Sequence, residues 1–120
     1  MKYVKVALIL LYTYFILTKT IIGRPVLPEP IFKGLFFEVQ NGMWEDIRLN
    51  IFLFVPLGFL IGGWKGILIG LGLSCFIELI QFFLSLGYCE LDDVLNNTIG
   101  SVIGVLLSWA LQSLLVILKK

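Results

Sequence analysis

Residues Gly66–Gly87 read G-I-L-I-G-L-G-L-S-C-F-I-E-L-I-Q-F-F-L-S-L-G, a run long enough to cross a bilayer, with a single acidic residue, Glu78, inside it. A carboxylate near mid-bilayer costs about 2.5–3.5 kcal/mol even on a lenient insertion scale. It is retained only where it faces a polar interior, has a partner, or titrates. Ser74, Glu78, Gln81 and Ser85 fall at i, i+4, i+7 and i+11, one stripe of a helix. The run therefore predicts a spanning helix with a polar face, and other helices must supply what that face meets.

Composition supports the membrane class. The chain has 120 residues, 59% hydrophobic and 14% charged, with a mean hydropathy of +1.02. A soluble domain of this length could not hide so much apolar surface. The net charge of +1 lacks the basic face that nucleic-acid binding needs. The two cysteines, Cys75 and Cys89, stand about 21 Å apart on helical rise, too far for a disulfide. With no histidine and only these thiols, neither a zinc or redox-metal site nor any other cofactor is assigned.

About 20 apolar residues are needed per crossing. Four stretches qualify: 4–22, 47–63, 66–86 and 93–118. The expectation is an all-α membrane protein, residues 1–120 forming a single domain that is a compact bundle of four transmembrane helices. The first stretch is taken as a retained span, because no small-x-small cleavage site follows its basic start. The second is the shortest and contains Pro56, which neighbours or water must compensate at membrane depth. Trp64 and Lys65 are expected to form the tight turn after it. Between the first two spans, Pro25, Pro28 and Pro30 oppose a helix. Residues 31–46 then mix aromatic and charged side chains, predicting an interfacial or re-entrant segment or a partly buried loop.

Charge sets the orientation. With four spans, one side holds Lys2, Lys5, Lys65, Lys119 and Lys120 and no acid, while every acidic residue except Glu78 lies beyond the opposite side. The positive-inside rule then predicts a multi-pass protein with both termini cytoplasmic. Gly58, Gly62, Gly66 and Gly70 recur every four residues, and Gly100 and Gly104 repeat the spacing. Such faces let helices approach closely. Contacts inside the bundle are favoured over an oligomer built on the same faces.

On this topology the polar residues converge. Arg48 and Asn50 start the second span, Glu78 and Gln81 lie about 14 and 9 Å below the outer surface on helical rise, and Asp93 and Asn97 open the fourth. Three helices thus put polar groups in one half of the bilayer, predicting an outward-facing cleft with Glu78 near its floor. Taken singly, Asn97 could be interhelical glue for Gln81 and Asp93 an N-cap.

These residues also carry a resemblance. Asn50–Gly58 reads N-I-F-L-F-V-P-L-G, Ser74–Gln81 reads S-C-F-I-E-L-I-Q, and Glu90–Gly104 reads E-L-D-D-V-L-N-N-T-I-G-S-V-I-G. The three ordered blocks resemble the VanZ-like family of small bacterial membrane proteins, named for a member associated with resistance to the glycopeptide antibiotic teicoplanin. The resemblance implies a bacterial cell membrane location. It carries the family's polar positions onto Asn50, Glu78, Gln81, Asp92, Asp93 and Asn97. Two positions depart: Glu90 stands where aspartate is usual, and Gly87, Tyr88 and Cys89 stand where an arginine commonly precedes it.

The favoured function is binding, in the bilayer, of a lipid-linked wall precursor, a lipid headgroup or an amphiphilic antibiotic, with a role in glycopeptide resistance or envelope processes. The alternatives are an enzyme using Glu78 on a lipid-linked precursor, with Asp92 and Asp93 on Mg²⁺, a small transporter, and a structural subunit. No nucleophile stands out for catalysis, and the inner half lacks polar residues for a transport path. A thiol reagent that cannot cross membranes is expected to label Cys89 on intact cells and spare Cys75; labelling of Cys89 only after lysis inverts the topology.

Overall fold

The computed structural model describes residues 2–22 and 24–120. Met1, at the start of the expected single domain, and Gly23, between the first two expected spans, lie outside them. The elements are α1 Lys2–Thr20, β1 Ile31–Lys33, α2 Phe37–Gln40, α3 Trp44–Ile61, α4 Gly63–Phe83, β2 Tyr88–Glu90 and α5 Leu91–Leu118. Among the described residues three helices, α1, α4 and α5, are long and apolar enough to cross a membrane. The four expected spans therefore reduce to these three plus α3, whose 18 residues carry Glu45, Asp46 and Arg48 near the start.

The all-α expectation needs one amendment. β1 and β2 form a parallel two-stranded ribbon, pairing Ile31 with Tyr88, Phe32 with Cys89 and Lys33 with Glu90. The prolines keep the preceding segment extended, and it runs beside the chain after α4, with the Leu27 N–H donating to the Ser85 carbonyl at 2.7 Å. Residues 31–43 are thus a strand, a turn and the short helix α2, and 44–46 already open α3. Phe36 enters α2 at φ 67°, in the left-handed region.

The two-residue offset at the α3–α4 boundary also has a backbone cause. Gly62 and Gly63 take φ of 72° and 62°, which only glycine adopts cheaply, so the reversal occurs there. Trp64 and Lys65 become the first turn of α4. Pro56 stays inside α3. It cannot donate to the Phe52 carbonyl, and the adjacent Leu53 carbonyl accepts the Tyr12 hydroxyl at 2.6 Å, tying α1 to α3.

Glycine sets the packing. A Cβ at Gly100 would meet the Ile51 carbonyl, one at Gly104 the Val55 carbonyl, and one at Gly58 the Ser101 carbonyl. Helices α3 and α5 therefore run parallel, backbone against backbone. α4 returns between their ends, with Gly66 and Gly70 set against Val105 and Ser101 of α5. The starts of α3 and α5 thus share one end of the bundle with the finish of α4.

Burial is inverted relative to a soluble domain. Among the described residues four hydrophobic side chains are buried (Ile16, Phe54, Leu57 and Ile77), against twelve polar or charged residues. Large apolar side chains such as Leu68, Phe76, Leu79, Leu106 and Leu107 face outward. That distribution suits a bundle whose surroundings are hydrocarbon, where polar groups turn inward.

Gly104→Leu is expected to abolish the folded monodisperse protein in detergent, because the Val55 carbonyl cannot retreat without parting α3 from α5. Gly72 has nothing within 4 Å of an added Cβ. Gly72→Ala should raise thermal stability by about 0.5–1 kcal/mol. Equal tolerance of both changes would refute the backbone contact.

Candidate functional site

The shared end of the bundle carries the polar cluster, and each member is placed by a different element. Asp93, in the first turn of α5, accepts the Asn50 amide of α3 at 2.7 Å. This side-chain contact continues the α3–α5 seam about two turns above Gly100. One turn further down α5, Asn97 donates to Ser74 Oγ of α4 at 2.9 Å. Glu78, the next stripe residue of α4, accepts the backbone N–H of Glu90 at 2.9 Å and so pins β2 over the helix end. Gln81 donates to the Thr20 carbonyl at 2.6 Å, holding the last turn of α1.

Asp92 does something else. Its two carboxylate oxygens accept the backbone N–H groups of Phe36 at 2.6 Å and Glu38 at 2.8 Å. A carboxylate bridging two backbone donors two residues apart is a charge-assisted anchor, and it fastens α2 to the top of α5. Glu38 is carried inward as a result and is 1% exposed, accepting the Asn96 amide at 3.0 Å. Single ligand oxygens of Glu38, Glu90 and Asp93 then lie within 4.8 Å of one another.

Of the residues expected at the site, Asn50, Glu78, Gln81, Asp92, Asp93 and Asn97 are brought to this end on interlocking hydrogen bonds. Arg48 is not. It donates to Glu45 at 2.6 Å, three residues back on α3, with both side chains largely exposed. Two helical positions separate it from Asn50, and that rotation turns it away. Asn97 meets Ser74 rather than Gln81, and Asp93 makes no side-chain cap to its own helix. Ser85 leaves the stripe, since α4 ends at Phe83 and Ser85 takes φ 54°. Glu38 and Glu90 were not read as site residues. The signal for Glu90 was its place in the third block; Glu38 had none beyond being an acid among aromatics.

Of the expected residues, Asn50 and Asp93 border a cavity of about 530 Å³, and Gln81, Asp92 and Asn97 are not among its lining. Glu38, Glu90, Asp93 and Asn50 line one part of it, and Phe15, Leu49 and Leu53 give it an apolar wall. Lys19 and Arg24 also line it, and Arg24 Nη1 would lie 3.2 Å from a Cβ at Gly87. Arg24 is thus a cation near the position where the resemblance lacked one. Glu78 lies beneath the lining, as the support of β2.

Burial pushes the Glu38 carboxyl up to about 9, helped by the neighbouring carboxyls of Glu90 and Asp93. Burial also lifts the Cys89 thiol to about 11, with the Glu78 charge adding to it. Thiol reagents are therefore expected to attack Cys89 slowly at neutral pH and faster as pH rises. Chemically, the end offers an acid that keeps its proton at neutral pH, amide donors, and an apolar wall. Glu38, Glu90 and Asp93 supply oxygen donors of the kind a hard divalent cation takes, whereas Asp92, in the pair first considered for that role, is committed to backbone.

The VanZ/LLP1 family model matches residues 5–115 of the chain. Protein VanZ of Enterococcus faecium is 32% identical over 72 residues, covering 54% of this chain and 45% of that protein. The match therefore spans less than half the length of this curated relative. No solved structure matches.

A carboxyl raised from 4.5 to about 9 binds its proton more tightly folded than unfolded, so stability falls as pH climbs through that window. Glu38→Gln is expected to flatten that fall in thermal unfolding measured from pH 5 to 9. An unchanged slope would show that Glu38 is ionised throughout.

Proposed function

Because the chain belongs to the VanZ/LLP1 family, we propose that this bacterial membrane protein holds the polar head of a lipid-linked or amphiphilic ligand in its cleft. In doing so it contributes to glycopeptide resistance or to envelope processes. The observation that carries the reading is the cavity of about 530 Å³, in which carboxylates from α2, β2 and α5 meet an apolar wall from α1 and α3. A headgroup needs the first and an acyl or aryl tail the second. In this reading α3 is a fourth crossing, both termini are cytoplasmic, and the cleft opens outward, where wall precursors and antibiotics are met.

Glu78 contributes through β2: its carboxylate fixes the Glu90 backbone, and Glu90 then presents its own side chain to the cleft. Asp93 and Asn50 hold the α3 and α5 sides together. The chemistry required is recognition, in which fixed charges replace the solvation that a headgroup loses. One observation favours catalysis instead, the close approach of the three carboxylates, and turnover of a lipid-linked precursor by purified protein would decide for it.

Expression in a glycopeptide-sensitive bacterium gives the test. Glu78→Gln and Asp93→Asn should each reduce any protection to the empty-vector level, with the folded amount in the membrane unchanged. Arg48→Gln, away from the cleft, should leave it intact. Full protection from both cleft variants at equal folded amount would remove the cleft from the function.

A further inference from the structure

Among the described residues, Lys33 stands beside two lining residues of the cleft and is held on several sides. Its Nζ lies 3.7 Å from the centroid of the Tyr88 ring, 4.2 Å from that of Phe37, and 3.7 Å from Glu90 Oε1. Only 19% of its side chain is exposed. Lys19 and Lys65, by contrast, each face a single ring at 5.5 and 5.8 Å. Two aromatic faces and a carboxylate around a largely desolvated ammonium form a cation cage, in which ring quadrupoles and a full charge replace water.

The cage walls are fixed independently of their occupant. Tyr88 and Glu90 belong to β2, which Glu78 holds through the Glu90 N–H. Phe37 belongs to α2, which Asp92 holds through two backbone N–H groups. Lys33 itself arrives on the three-residue strand β1, whose other residues are exposed. Tyr88 and Glu90 also line the cleft, while Lys33 and Phe37 do not, so the cage borders it through two of its three walls. The cleft lining itself mixes Asp46, Glu90 and Asp93 with Lys19 and Arg24, so selection for a cation rests on the two rings and the Glu90 carboxylate of the cage.

We propose that the Phe37–Tyr88–Glu90 cage is the headgroup subsite for an ammonium-bearing amphiphile, with Lys33 its built-in occupant, which the ligand's ammonium replaces. This rests on the reading of the cleft as a ligand-holding site and names its ligand class. The ligand's ammonium, primary or quaternary, takes the place of Lys33 Nζ, and its tail lies along Phe15, Leu49 and Leu53. No covalent step is involved. Exchange of one cation for another conserves the charge of the site, so the bound state keeps Glu90 paired.

The test uses wild-type protein in a neutral maltoside micelle, its lysines reductively ¹³C-methylated, which keeps their charge. In the free protein the Lys33 methyl signal, identified by its loss in Lys33→Gln, is expected upfield of the other lysines because it sits over two rings. Hexyltrimethylammonium should bind saturably and return that signal to the ordinary lysine position, while hexanol and hexyl sulfate leave it in place. Lys33→Gln should tighten ammonium binding, and Tyr88→Leu should weaken it by about tenfold. Saturable ammonium binding with the Lys33 signal unmoved, or equal binding of the neutral and anionic probes, overturns the cage but leaves the cleft standing. Absence of saturable binding by any probe overturns the cleft reading as well.

Discussion

Helices α3 and α5 touch through their backbones, and that contact depends on the missing side chains of Gly58, Gly100 and Gly104. In hydrocarbon no hydrophobic drive pulls helices together, so close van der Waals contact and interhelical hydrogen bonds must hold them. The seam supplies the first along the glycines and the second just above them, where Asn50 meets Asp93. Fixing α3 beside α5 fixes where α4 can return, and hence that Ser74 meets Asn97 and Glu78 meets β2. The acidic end is a downstream product of a glycine register.

The helices and most of the polar end were legible in the sequence because both obey local periodicities. Glu78, Gln81 and Ser74 lie on one stripe, Asp93 and Asn97 on another, and the spans are long apolar runs. What could not be read was the pairing of distant extended segments. Lys33 and Glu90 are 57 positions apart, and nothing in a three-residue strand announces its partner. Glu38 followed from that pairing and from Asp92, so its burial was equally hidden. Arg48 failed for the opposite reason: nearness in sequence to Asn50 suggested a shared face that helical rotation denies. The α3–α4 turn shifted because consecutive positive-φ glycines decide such a reversal, while Trp64 and Lys65 only mark its polarity.

The acidic end shows how a small bundle holds several carboxyls in little water. Each is met differently: Asp92 by two backbone N–H groups, Glu78 by one, Asp93 by an amide, Glu90 by Lys33, and Glu38 by an amide together with a raised affinity for its own proton. Backbone N–H groups, side-chain amides and one ammonium share the work, so each carboxyl has a partner even where three of them crowd together. This division also separates two tasks. Asp92 and Glu78 hold backbone, which leaves Glu38, Glu90 and Asp93 to line the cavity.

The parallel course of α3 and α5 also has a consequence at the far end of the molecule. A helix carries partial positive charge at its start and negative charge at its finish. At the acidic end the sorting is favourable, with Glu45 and Asp46 beginning α3, Asp92 and Asp93 beginning α5, and Lys19 closing α1. At the other end it is not. Lys2 and Lys5 begin α1 and Lys65 stands in the first turn of α4, each adding positive charge to a positive terminus, with no acid in either first turn. Such placements oppose helix stability by roughly 0.3–1 kcal/mol apiece. These lysines gain nothing from the dipoles of the helices they begin, and an anionic surface at that end would offset the cost.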